Sequence, residues 1–203
     1  MKKSDIMGVF FLILVIVLII IFYKEIGEIT KQHPFILGFI KLFILGTFGE
    51  MIKYRMSSGS WKLDKIILRA FIWGLYGIWF TWSFAYADSG TKGLISKNLW
   101  LDAGPLATAF STSLWLNILG GFAYFMMLIH EYLNFCIREG KLINTITFGE
   151  QLNKKIWFQF IPLTLFIWLV LHTFTYMLPE QFRVLSAALL AIVLGFLLSF
   201  GKK

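Results

Sequence analysis

LPEQFRVLSAALLAIVLGFLLS, residues 178–199, reads as a turn into a helix followed by the helix itself. Pro179 is tolerated in a first helical turn, and Glu180 there complements the positive end of the helix dipole. From Arg183 onward, Ala187, Ala191, Gly195 and Ser199 recur at every fourth position among leucine, isoleucine, valine and phenylalanine. In hydrocarbon, hiding a leucine brings no gain, whereas a column of small residues lets two helix backbones approach closely. The chain is therefore expected to be an all-α, polytopic transmembrane helix bundle. The small column should face neighbouring helices, with Leu189, Val193 and Phe196 toward lipid. Arg183, above the column, is expected at the membrane interface, bonded to carbonyls, headgroups or an acid such as Glu180 or Asp88.

Composition agrees with this reading. Hydrophobic residues are 58% of the chain and charged ones 15%, against roughly 45–50% and 25% in soluble domains. The net charge of +8 does not point to nucleic acid, because the nineteen basic residues are not gathered on one element. They lie mainly between apolar runs, where they set orientation in the membrane. Cys136 is the only cysteine; alone it makes neither an intrachain disulfide nor a metal site.

The apolar runs follow in order. Ile6 to Tyr23, behind Lys2 and Lys3, carries no strong polar residue and has the length of about 18 residues that a span requires. Lys24-Glu25-Ile26-Gly27-Glu28 follows it where a signal peptide would place small cleavage-site residues. This run reads as a peripheral, lipid-facing anchor. Pro34 opens a second helix, Phe35 to Lys53, with Lys41 and Glu50 inside it. A charge at that depth should face a helical neighbour, a watery cavity or the headgroups; the nine-residue spacing puts these two on opposite sides of the helix. A carboxylate partner for Lys41 is expected at Glu131. After a basic linker, Tyr54 to Lys65, the third helix runs from Ile66 to Ala87, with Ala70, Gly74, Gly77, Thr81, Ala85 and Asp88 on one side.

Asp88 to Gly104 reads as a connection, and Pro105 starts a fourth helix to about Phe135. Ser113, Asn117, Gly120, Gly121, Tyr124 and Glu131 fall near one face of it, the most polar face available to line a path. His130-Glu131 resembles an acid/base pair, but adjacent helix residues point about 100° apart, and no second carboxylate–histidine set accompanies them. The linker Ile137 to Lys155 leads to the fifth helix, Ile156 to Leu178, in which Pro162 should make a kink. Thr164, Trp168, His172 and Thr175 share a face of this helix. His172 has no histidine at metal-ligand spacing, so it is expected to pack or to hydrogen-bond toward a cavity. No catalytic, cofactor-binding or metal-binding residue is assigned.

About six spans result. Lys2, Lys3, Lys53, Arg55, Lys62, Lys65, Arg69, Arg138, Lys141, Lys154, Lys155, Lys202 and Lys203 fall on one side, thirteen in all. Lys24, Lys31, Lys92, Lys97 and Arg183 make five on the other. Positive charge marks the cytoplasmic side, so both termini are expected there.

Trp168, Leu178-Pro179, Phe182-Arg183 and Leu198-Ser199 resemble a family signature. The family is that of the twenty-two-kilodalton peroxisomal membrane protein and the Mpv-type mitochondrial inner-membrane protein (the Mpv/PMP family). Its Trp-rich approach leads to hydrophobic-Pro-x-x-aromatic-Arg and a helix ending in Leu-Ser. Gly49-Glu50-Met51-Ile52 is similar to its Gly-Asp-x-Ile; Asp64, Arg69, Gly74 and Gly77 resemble, in loosened spacing, its Asp-x-x-Arg and Gly-x-x-x-x-Gly-Pro region, and Lys97 and Asp102 its Lys-x-x-x-Asp-Gln segment without the Gln. Ile78 replaces the proline after the glycine, and Leu169 follows Trp168 where the family has Trp-Pro. The resemblance covers about Pro34 to Ser199. It implies a five-helix membrane core over 34–203, to which 1–33 adds an anchor and linker. It also implies a channel-like protein, supporting metabolite passage, with no assigned reaction. Because no transit peptide opens the chain, a bacterial plasma membrane is expected rather than an organellar inner membrane.

Function then rests on Lys41, Glu50, Asn117, Glu131, His172 and Arg183. These residues either line a path for small solutes or satisfy one another in a closed structural bundle. A membrane-embedded enzyme is the third reading, ranked lower because no carboxylates stand at metal-motif spacing. The lipid bilayer is the expected partner, nucleic acid is not, and self-association into a homo-oligomer is left open.

Overall fold

The computed structural model describes residues 3–152 and 161–200, and every regular element among them is helical. In order these are α1 (Lys3–Ile21), α2 (Tyr23–Gln32), α3 (Pro34–Ser58), α4 (Ile66–Ser96), α5 (Pro105–Leu114), a π turn (Trp115–Leu119), α6 (Phe122–Glu139), α7 (Thr145–Gln151), α8 (Ile161–Met177) and α9 (Glu180–Phe200). By length and composition, three are able to cross a membrane: α1 over Ser4–Ile21, α3 and α4. The bent pair of α5, carried on through the π turn, and α6 makes a fourth if it counts as one span. The apolar part of α8, Leu165–Met177, is shorter.

The chain divides into two compact units. The first comprises Met1–Thr81 and Val184–Lys202. Here α1 and α2 are nearly continuous, since Phe22 and Ile26 keep i→i−4 bonds across the joint. None of Ser4–Ile21 is buried. Pro34 occupies the first turn of α3, where its missing N–H costs nothing. Gly59 ends α3 at φ +74, donating its N–H to Arg55 O at 2.9 Å, a left-handed cap that favours glycine. Alpha-3 and α4 then meet at glycine. A Cβ on Gly38 would lie 2.7 Å from Gly77 O, and one on Gly49 would lie 2.5 Å from Ala191 O of α9. Ala187 and Ala191 are buried, while Val193 is exposed. The expected positions of Gly195, Phe196 and Ser199 fall on side chains outside those described.

The second unit spans Trp82–Arg183. Alpha-4 continues to Ser96, so the connection expected from Asp88 is helical over its first two turns. The single helix expected from Pro105 is broken. Gly120 donates to Trp115 O at 2.6 Å, an i→i+5 bond, and Gly121 follows at φ +69, a conformation suited to a residue without Cβ. The axis bends by 43° there. Alpha-8 is described from Ile161, so the turn before Pro162, needed for the kink expected in a helix begun at Ile156, falls outside the described residues. Alpha-5 and α8 pack along each other, and between them lies the unit's polar interior.

Candidate functional site

The second unit carries a charged cleft and, deeper along the same helices, a buried hydrogen-bonded knot. At about 1.5 Å per residue, Asp88 stands roughly 33 Å along α4 from Ile66. Asp88 Oδ2 lies 3.1 Å from Arg183 Nη1 and 2.7 Å from Lys92 Nζ, which stands one turn further along α4. Glu180 Oε1 approaches Lys92 at 3.8 Å. The rest of the Arg183 guanidinium donates to Leu178 O at 3.2 Å and Tyr176 O at 3.4 Å, with its carbon 5.2 Å from the centre of the Tyr176 ring. Those carbonyls belong to the end of α8 and the turn after it, so one arginine ties α8, the turn into α9 and the end of α4. Asp88, one of the two acids offered by the sequence, is its direct partner. Beside these charges opens a cleft of about 540 Å³, lined also by Asp102, Thr108, Ala109 and Met177.

Along α5 the residues after Thr108 continue the polar face. Thr112, Ser113 and Asn117 are 0% exposed. Ser113 Oγ donates to Leu169 O at 2.8 Å, across to α8. Asn117 Nδ2 donates to Ser113 O at 2.9 Å and faces Ser113 Oγ at 3.1 Å. Its amide nitrogen is thereby committed, and Asn117 Oδ1 is left to accept from His172 Nδ1 at 2.9 Å. This makes His172 Nδ1 the donor of that bond. Phe84 meets the imidazole edge-to-face with centroids 5.3 Å apart, and Trp168 lies tilted against it at 5.4 Å. Asn117 sits in the π turn, a local widening found often at functional sites.

The remaining candidates fall elsewhere. In the first unit, Glu50 is buried and pairs with Arg69, while its second oxygen accepts from Trp73 Nε1 at 2.9 Å. Lys41, also buried, donates to Thr30 Oγ1 of α2 at 2.7 Å. Its expected partner Glu131 belongs to the second unit, half-buried on α6 beyond the bend. The bend also breaks the polar face expected from Ser113 to Glu131: Ser113 and Asn117 turn toward α8, whereas Tyr124 and Glu131 follow a new axis. His130 is bonded to Asn134, at 3.2 Å from Nδ1. Arg69, Trp73, Thr30 and Lys92 were not singled out as site residues. A signal for Arg69 was present: it stands as far after the Gly59–Ser60 step, at the start of the 59–65 connection, as Glu50 stands before it.

Among the described residues, no three His, Cys, Asp or Glu side chains form a group able to hold a metal ion. No family model matches the chain, and comparison with characterised proteins and with solved structures gives no match.

Proposed function

We propose that the chain is an integral membrane protein of channel-like type that supports passage of small solutes through its second unit, in a closed state here. The carrying observation is the continuity of one polar face: from the Asp88–Lys92–Arg183 cleft, past Thr108 and Thr112 on α5, to the Ser113–Asn117–His172 knot. Asn117 lies about 18 Å along the helix from Pro105, near the middle of a hydrocarbon core. Buried polar groups at that depth are expensive and mark pathways by default. The proposal includes six spans, with α8 and α9 as the last two, both termini in the cytoplasm, a bacterial plasma membrane, and kinship with the Mpv/PMP-type family on the residues given above. No reaction is assigned.

A second reading has its own observation. Ser113, Asn117 and His172 already satisfy one another, as a closed structural bundle would require. Proteoliposome flux separates the two. With insertion verified by protease protection, wild-type vesicles should release small neutral and charged solutes faster than protein-free ones. Asn117→Ala, which removes the bond to His172, should raise the rate several-fold. Vesicles as tight as protein-free controls for both proteins would leave the closed bundle as the answer.

A further inference from the structure

The cleft of the second unit holds its charges unevenly. At its buried end one carboxylate serves two cations, since Asp88 Oδ2 lies 2.7 Å from Lys92 Nζ and 3.1 Å from Arg183 Nη1. Glu180, the other acid near Lys92, stands off at 3.8 Å with both side chains more than half exposed, a pairing that water reduces to little. Asp88, Lys92 and Arg183 together therefore carry one positive charge beyond their carboxylate. Lysine has three N–H donors; that of Lys92 toward Asp88 is bonded at 2.7 Å, and Glu180 is too far to take another. The same cleft is lined by Asp102, in the 97–104 connection between α4 and α5. Its carboxylate accepts one long bond, from Gly104 N at 3.4 Å. Asp102 is exposed and forms no ion pair among the described residues.

A cation with open donors and a carboxylate with no counter-ion, on the wall of one cleft, match a solute that carries both charges. We propose that the cleft binds a small zwitterion, an amino acid or short ω-amino acid, with its carboxylate on Lys92 beside Arg183 and its ammonium on Asp102. A solute with a carboxylate alone faces Asp102 as a like charge, and an amine alone faces Lys92 in the same way; both are selected against. The volume of about 540 Å³ lies within the ~300–1,000 Å³ range of small-molecule clefts. Ala109 and Met177 supply apolar wall for the carbons between the two charges. Arg183 is held in place by Tyr176 O and Leu178 O, whereas Lys92, exposed on a flexible stem, is free to turn toward a solute. The zwitterion site rests on solute passage through the second unit and names what enters it.

The test uses the full chain in detergent and isothermal titration with a length series of ω-amino acids, from glycine to 6-aminohexanoate. Each is set beside the carboxylate and the amine that lack its second charge. The best zwitterion of the series should bind about tenfold tighter than both of its singly charged analogues, the scale of one hydrogen bond to a charged group. Lys92→Met, which leaves Asp88 to Arg183, should bring zwitterion and amine level. Asp102→Asn, which keeps an acceptor for Gly104 N, should bring zwitterion and carboxylate level. Asp102→Lys should reverse the choice, so that a dicarboxylate of the same length binds tighter than the zwitterion. The wild-type comparison decides even where a variant fails to fold. Zwitterions no tighter than their singly charged analogues, or a folded Asp102→Lys that keeps the wild-type order, would overturn the site. Failure of passage reads differently: the expected binding pattern beside vesicles as tight as protein-free ones would refute passage and leave the site. Vesicles that leak every solute alike, with no preference in binding, would refute the site and leave passage.

Discussion

Glu50 is a carboxylate buried in α3, and its ionised form is held by two donors that α4 supplies, the Arg69 guanidinium and the Trp73 indole. Removing one partner of a buried pair leaves the other charge desolvated, whereas removing both leaves apolar or neutral groups that pack acceptably. Arg69→Met should therefore lower unfolding stability in detergent by about 3–5 kcal/mol, and Arg69→Met with Glu50→Gln should recover most of that loss. Additive effects in this cycle would mean that the two side chains do not couple. The pair was legible in the chain by a route that reading each helix alone misses. Glu50 with Arg69, Gly46 with Trp73 and Gly38 with Thr81 all contact each other and all share the midpoint between Gly59 and Ser60. Two antiparallel helices joined by the short 59–65 connection bring residues at equal distances from one point of it level. By contrast, the Asn117–His172 contact joins segments separated by 55 positions, and no local spacing fixes that register.

At the level of the element, α4 shows how one residue type takes opposite roles within one helix. A side chain at Gly77 would drive into the Gly38 carbonyl region, while nothing lies within 4 Å of a Cβ at Gly90. Gly77→Ala should separate α3 from α4 and cost about 1–3 kcal/mol, the range of overpacking. Gly90→Ala should stabilise by about 0.5–1 kcal/mol through helix propensity. Thermal unfolding of the two variants in one detergent checks both signs, and a loss of stability at Gly90 would place an unseen neighbour there. The α5–π turn–α6 break carries a related lesson. Gly120-Gly121 was visible in the sequence but reads equally as a small packing surface; only the i→i+5 bond and the φ of +69 at Gly121 separate a bend from a close approach. A Cβ in the left-handed region costs about 1–2 kcal/mol, so Gly121→Ala should lower stability by that amount. Asp88-Ser89-Gly90 reads as a loop for the opposite reason: its helix is held by the Asp88–Lys92 pair and by Arg183, which stands 95 positions away in sequence.

For the whole molecule, the membrane side of each segment can be argued from contacts as well as from charge. Asp5 in the first turn of α1 meets Arg55 in the last turns of α3 and Trp61 in the loop beyond. If α1 and α3 both span, the amino end and the 59–65 loop share one side, and α2 with its Lys24 and Lys31 lies at the other. Asp88 near the end of α4 meets Arg183 in the first turn of α9, so these two ends also share a side. With cytoplasmic termini, the orientation expected from the thirteen-to-five distribution of basic residues, residue 58 would face the cytoplasm and residue 101 the outside. Single cysteines at Ser58 and Leu101, both exposed, placed in a Cys136→Ala background, make this testable in intact cells. An impermeant maleimide added outside should label Leu101→Cys and leave Ser58→Cys unlabelled until the membrane is opened. Labelling of both positions from outside would mean that α4 does not cross, and the six-span arrangement would fall with it. Labelling of Ser58→Cys alone would invert the chain and place the Asp88–Arg183 cleft on the cytoplasmic side, reversing the direction from which a solute meets it.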